Sequence, residues 1–170
     1  GTGPYFQSYL ETYVERDVRN VLNIKDLNAF QTFLRLCAGR VGQPVNLQSL
    51  ATEAGISSAT VKNWLSILEA SYIVFQLPPF FENFNKRLVK SSKIYFYDTG
   101  LLCFLLGISE PAQITQHYSR GSLFENMVII ELMKNHYNRN VRPEFYFWKD
   151  SHQVEVDLVS LEGLETQLFE

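Results

Sequence analysis

Apolar residues recur every three or four positions through the first part of the chain and give way to short β-branched and aromatic runs further on. Tyr9, Leu10, Tyr13, Val14, Val18 and Val21 share one side of a helix predicted over Tyr5 to Leu22, with Glu15, Arg16, Asp17 and Arg19 largely opposite. Asp26 is placed to cap a second helix, Leu27 to Ala38, whose stripe is Phe30, Phe33, Leu34 and Cys37 and which Gly39 and Gly42 end. From Leu47 to Leu68 the pattern is two short helices around a tight corner. Leu47, Leu50 and Ala54 line the first, and Val61, Trp64, Leu65 and Leu68 the second. Asn46 and either Ser57 or Ser58 are the expected N-caps, Gly55 the turn residue able to take φ > 0, and Ala51 the small residue at the crossing.

The period then shortens. Tyr72 to Leu77 and Lys93 to Tyr97 read as strands separated by Pro78, Pro79 and a basic, aromatic stretch. Asp98-Thr99-Gly100 invites comparison with the aspartic proteases, but a leucine-rich helix, Leu101 to Leu106, follows where that chemistry needs an all-β frame. Asp98 or Thr99 is better read as that helix's N-cap, with Gly107 ending it. Glu110 to Ser119 is polar and marks the expected domain boundary. Beyond it, Phe124, Val128, Ile129, Leu132 and Met133 face one way on a helix from Leu123 to Tyr137. Glu144 to Trp148 and Val154 to Ser160 are strands joined by a turn at 149–152, and a third strand begins at Gln167 to Glu170. Alternation places Glu155, Asp157 and Val159 on one face of the middle strand and Val154, Val156 and Leu158 on the other.

A length of 170 residues fits one domain or two small ones, and a hydrophobic share of 46% is enough to bury a core. The net charge of -3 excludes a global basic field, so any nucleic-acid contact has to be local. Cys37 and Cys103 lie in apolar helical patterns and suit reduced thiols. Neither a membrane-length apolar run nor a signal-peptide pattern is present, and a cytoplasmic protein without membrane contact is the expectation. The start lacks an initiator methionine and the end falls within a strand pattern, so the chain is expected to be a fragment of a larger protein.

Leu47 to Leu68 resembles the helix-turn-helix of many DNA-binding proteins. Ser58, Thr60, Lys62 and Asn63 then occupy the outward face of the second helix, where polar side chains suit base edges and phosphates. Lys86, Arg87, Lys90 and Lys93, interleaved with aromatics between the two strands, would form a wing able to track a phosphate backbone of double-stranded DNA. The same fold also serves as a spacer or a protein-docking surface.

YLETYVERDV, the helix-turn-helix, NKRLVKSSKIYFYDTGLL, GSLFENMVIIEL and the later FYFWKD and EVDLV together resemble the C-terminal region, DUF4143, of a prokaryotic family that pairs it with an AAA-type ATPase domain. The resemblance implies an ATPase domain in the same polypeptide. This chain contains no GxxxxGK[ST], so ATP enters only through that other domain. The last unit further resembles the restriction-endonuclease-like PD-(D/E)xK core. That likeness implies Mg²⁺ held by Glu125, Asp157 and Glu170 as metal ligands and catalytic acids, with the lysine two residues beyond the end. The preceding Glu155 departs from a literal Pro-Asp, and an inactive nuclease-like fold is the alternative. The expected fold class is therefore α+β: a helical lead-in and winged helix-turn-helix domain over 1–109, then a truncated PD-(D/E)xK-like α/β unit over 120–170. The expected function is a DNA-associating accessory region of an ATPase, with a metal-dependent nuclease or a non-catalytic docking module as alternatives.

Overall fold

The computed structural model of the chain describes residues 3–10, 26–80, 91–150, 152 and 154–170. Helix α1 (Gly3–Tyr9) opens it, and Leu10 beside it is buried in the core. The rest of the predicted Tyr5 to Leu22 helix lies outside the described residues.

Helix α2 (Leu27–Ala38) starts where the Asp26 carboxylate accepts the Ala29 N–H at 3.0 Å, and it buries Phe30, Phe33, Leu34 and Cys37. Helix α3 (Leu47–Ala54) is capped by Asn46, whose Oδ1 accepts from the N–H groups of Gln48 and Ser49. Gly55, at φ 69, then turns the chain, and Ser57 Oγ accepts the Thr60 N–H to start α4 (Ser58–Ala70). The two apolar faces meet α2 through Trp64, whose ring lies edge-on to Phe30 at 5.2 Å and to Phe33 at 5.4 Å. The two short helices and the tight corner expected from the sequence are thus present in three dimensions.

Strands β1 (Val74–Leu77) and β2 (Lys93–Phe96) pair antiparallel, with Phe75 opposite Tyr95 and Leu77 opposite Lys93. All four β2 residues are buried, which an exposed wing would not allow. One strand edge is closed by the loop after α2, where Gly42 N–H donates to the Ile94 carbonyl and Ile94 N–H to the Gln43 carbonyl. The hairpin is therefore an interior sheet. Helix α5 (Thr99–Leu105) follows directly, its cap being the Asp98 carboxylate, which accepts from Gly100 and Leu101 N–H.

The polar connector holds a short helix, α6 (Pro111–Ile114), whose Gln113 side chain accepts the Glu110 N–H at 2.9 Å. Helix α7 (Arg120–Asn138) buries Leu123, Asn126, Ile129, Ile130, Met133 and His136. That stripe is rotated from the expected one, and Phe124 is 64% exposed. Strands β3 (Glu144–Lys149), β4 (Glu155–Glu162) and β5 (Glu165–Phe169) form an antiparallel meander in that order. Tyr146 opposes Val159 while Trp148 opposes Val156, so β4 carries one extra residue across from Phe147. This bulge interrupts the simple alternation, and Leu158 and Val159 are both buried.

The two sheets touch where Phe147 N–H donates to the Pro78 carbonyl at 3.0 Å and Phe80 N–H donates to the Phe147 carbonyl at 2.6 Å. One apolar cluster runs from Phe30, Phe33 and Trp64 through Ile94 and Leu102 to Ile129, Phe147 and Leu158. The packing on the two sides of the connector is continuous. Among the described residues no helix is long and apolar enough to cross a membrane.

Trp64→Ala should lower the unfolding free energy by about 3–5 kcal/mol, since a buried aromatic is lost from between two others. A Cβ at Gly55 would meet nothing within 4 Å, so Gly55→Val is expected to cost only the left-handed backbone penalty, about 1–2 kcal/mol. Lys62→Ala and Asn63→Ala, on the exposed face, should stay within about 0.5 kcal/mol. Urea unfolding midpoints of the four variants check the order; an unfolded Lys62→Ala protein would mean that α4 presents its other face to the core.

Candidate functional site

Strand β2 delivers the central groups. Positions two apart in a strand share a face, so Lys93 and Tyr95 point together, away from Ile94 and Phe96. The far edge of β2 is held by Asn126 of α7, which is fully buried. Its Oδ1 accepts the Phe96 N–H at 2.8 Å, and its Nδ2 donates to the Phe96 carbonyl at 3.0 Å and to Thr99 Oγ1 at 3.2 Å. A side-chain amide thus replaces a neighbouring strand. With Asn126 fixed in this way, Glu125 beside it reaches Lys93 and Tyr95.

Lys93 is 2% exposed. Its ammonium lies 2.5 Å from Glu155 Oε1, 3.4 Å from Glu125 Oε1 and 3.7 Å from Asp157 Oδ1, and 5.2 Å above the Phe147 ring centroid. Tyr95 Oη donates to the same Glu125 Oε1. Lys149 holds the other oxygen of Glu155 at 2.8 Å. The loop after α2 presses on this group: a Cβ at Gly42, where φ is +74, would stand 3.0 Å from Glu125 Oε2. Only glycine both accepts that backbone angle and leaves the carboxylate room.

Burial lowers the pKa of the Lys93 ammonium, but the Glu155 hydrogen bond and the charges of Glu125, Glu155 and Asp157 outweigh it and hold the pKa above the ordinary lysine value. Burial pushes the Glu125 carboxyl up, against the pull of Tyr95 and Lys93. Burial acts on Glu155 in the same direction, yet its bonds to Lys149 and Lys93 prevail and its pKa falls below the usual carboxylate range. Desolvation and the neighbouring Glu125 raise the Tyr95 phenol, which stays protonated and serves as a donor.

Residues 2–112 match the family described as Domain of unknown function (DUF8612). The chain belongs to that family. Residues 120–170 match a second family, Domain of unknown function (DUF4143), as the sequence resemblance implied. Uncharacterized protein Rv2008c of Mycobacterium tuberculosis and uncharacterized protein Mb2031c of Mycobacterium bovis are each 30% identical over 157 residues, covering 91% of this chain and 34% of theirs. The chain spans about a third of the length of these curated relatives. No solved structure matches it significantly.

Lys93 corrects the sequence expectation most directly. The sequence groups it with Lys86, Arg87 and Lys90 as a phosphate contact, but its ammonium is buried and engaged by carboxylates and cannot reach a duplex. Lys86, Arg87 and Lys90 lie outside the described residues. On α4, Ser58, Lys62 and Asn63 are exposed, while Thr60 is half-buried with its hydroxyl 2.8 Å from Ser57 Oγ at the helix cap. Glu125, Asp157 and Glu170 all line one cleft of about 460 Å³, together with Ser122, Phe124 and Phe169. Glu125 and Asp157 share Lys93; Glu170 stands at the exposed end of β5. Among the described residues no three Asp, Glu, His or Cys side chains are arranged to hold a metal ion. The carboxylates are the right hard donors for Mg²⁺, but a lysine ammonium stands between them, so the arrangement present does not fit the ion.

Sequence reasoning missed Tyr95, Asn126 and Lys149. Asn126 carried a signal, because it interrupts an apolar stripe at a spacing that places it between Leu123 and Ile130. Tyr95 and Lys93 also carried one, the strand period that sets them on one face.

Lys93→Met should destabilise the fold by about 3–5 kcal/mol, because it strands buried carboxylates without a counter-charge. Joint replacement of Lys93, Glu125 and Glu155 by apolar residues of similar size should recover much of that loss. The pH dependence has a definite sign. The pKa of Glu155 is lowered from 4.5 on folding, so its contribution is complete above that value and is lost as pH falls through the folded one. Glu155→Gln should flatten that part of the acid limb in a urea-midpoint against pH profile; an unchanged limb would show that Glu155 is not tied to lysine in solution.

Proposed function

We propose that this chain is a DNA-associating accessory region of a prokaryotic AAA-type ATPase, with ATP bound and hydrolysed by a separate domain of the same polypeptide. The observation that supports this most is the α3–α4 helix-turn-helix, whose second helix buries Val61, Trp64, Leu65 and Leu68 and leaves Ser58, Lys62, Asn63 and Ser66 facing outward. Short polar side chains on a protruding helix suit phosphate and base-edge hydrogen bonds. The cations proposed to meet phosphate are Lys62 and, from the sequence between β1 and β2, Lys86, Arg87 and Lys90; the buried Lys93 is removed from that set. In the whole protein a cytoplasmic location follows from this role.

A second reading, a PD-(D/E)xK-like nuclease unit, is favoured by one observation: Glu125, Asp157 and Glu170 line a single cleft. Lys93 neutralises the inner part of that cleft without an ion. We therefore take the unit as nuclease-like in arrangement and non-cleaving as it stands, with Mg²⁺ entering only if Lys93 is displaced.

Double-stranded DNA should bind weakly and with a log-log salt slope of about -3 to -4 if four cations meet phosphates. Joint replacement of Lys62, Lys86, Arg87 and Lys90 by alanine should abolish binding in a fluorescence-anisotropy titration across salt concentrations. Replacement of Lys62 alone should reduce the slope by about 1. Binding retained in the quadruple variant would remove the helix-turn-helix from the contact surface.

A further inference from the structure

Helix α7 ends on a histidine that is almost wholly out of water. His136 lies in the last turn of that helix, is 6% exposed, and meets the Phe145 ring of β3 edge-on at 5.0 Å. Its Nδ1 stands 2.9 Å from the Leu132 carbonyl oxygen. A carbonyl only accepts, so Nδ1 carries a hydrogen. In the neutral ring the remaining nitrogen, Nε2, is therefore a bare lone pair. It is buried and, among the described residues, has no hydrogen-bond partner.

What faces that lone pair is a negative charge. Glu162 Oε2, at the end of β4, lies 3.7 Å from Nε2, too far for a hydrogen bond. Arg139 grips both oxygens of the same carboxylate, at 3.1 and 3.0 Å, and these bonds hold the Glu162 carboxyl below its ordinary range. A buried acceptor set against an ionised acceptor leaves both without a donor between them. A proton on Nε2 makes it a donor aimed at Oε2, and the C-terminal end of a helix favours the positive ring. The charged groups at the ring are Glu162 of β4 and Arg139 of its own helix. Strand β3 packs on it through Phe145, while Arg142 and Glu144, in the segment that follows α7, are exposed and form no ion pair with it.

We propose that His136 and Glu162 form a proton-operated latch between the end of α7 and the β4–β5 hairpin. The ring takes one proton from solvent at Nε2, closes a charge-assisted hydrogen bond to Glu162 Oε2, and opens it again when that proton returns to solvent. The same hairpin carries Asp157, Phe169 and Glu170, which line the cleft against the first half of α7, so proton uptake tightens one wall of that cleft. The inference does not depend on DNA association.

The test uses the 170-residue chain with heavy nitrogen in its histidines. Nitrogen NMR is recorded at about pH 8 and about pH 5, on either side of the ordinary imidazole range. The His136 ring should be protonated on Nδ1 alone at the higher pH and on both nitrogens at the lower. Hydrogen exchange of the hairpin amides at 161–166, corrected for the intrinsic effect of pH, should slow by about fivefold or more on acidification. Glu162→Gln supplies an amide that donates to the bare Nε2 and still accepts from Arg139, so its hairpin should be equally protected at both pH values. His136→Phe should also remove the response. Glu162→Gln alters a half-exposed side chain and decides the matter even where His136→Phe does not fold. A ring with Nε2 protonated at about pH 8, equal protection of the wild-type hairpin at both pH values, or a response that survives in Glu162→Gln would each overturn the proposal.

Discussion

A lysine ammonium with almost no access to water is the constraint around which the chain is arranged. Transferring such a charge out of water costs several kcal/mol unless good geometry offsets it. Here the offset comes from three carboxylates on two elements, Glu125 on α7 and Glu155 and Asp157 on β4. Each lies within 4 Å, and Lys149 and Tyr95 occupy further acceptor sites on two of them. The cluster also specifies register. A one-residue slip of β2 would exchange Lys93 and Tyr95 for Ile94 and Phe96, placing apolar side chains among carboxylates and a charge in the apolar core.

Because β2 serves this cluster, it cannot serve as an exposed wing. Its two faces and both edges are occupied, one edge by β1, the other by the loop at Gly42 and Gln43 and by the Asn126 amide. The α3–α4 pair is therefore anchored through β1 and β2 to the unit that follows the connector, and the proposed contact with a duplex is left to the outward face of α4 and the sequence between β1 and β2. The acid cluster is limited in a matching way. Carboxylates already paired with an internal ammonium have less capacity for a divalent cation, so one lysine lowers the prospects of both a basic wing and a metal centre.

Much of the local structure was legible in the chain. Asp26, Asn46, Ser57 and Asp98 each precede a helical apolar pattern and each accepts the expected backbone N–H, because N-capping depends on a few neighbouring residues. Gly55 takes its left-handed angle for the same local reason. The corner between α3 and α4, the strands β1 to β4 and the position of the connector likewise follow from period and punctuation. The face of α7 was not legible in this way. Phe124 was assigned inward and is exposed, while the polar Asn126 is fully buried, since a side-chain amide is welcome in a core only when a strand edge such as Phe96 is present to receive it.

The composition and order of residues by themselves determined the helices, their caps and turns, the strand positions and the presence of acids on β4. The role of those acids was decided only by tertiary structure. Lys93 is distant in sequence from Glu125 and farther from Glu155 and Asp157, and in the chain it stands among surface-like lysines with nothing local to distinguish it. Whether such a lysine faces water or a carboxylate depends on which helix covers the hairpin and on a bulge in β4 that interrupts strict alternation. Both are consequences of how elements remote in sequence pack, and a long-range ion cluster exists only after that packing has removed the water that would otherwise solvate each charge separately.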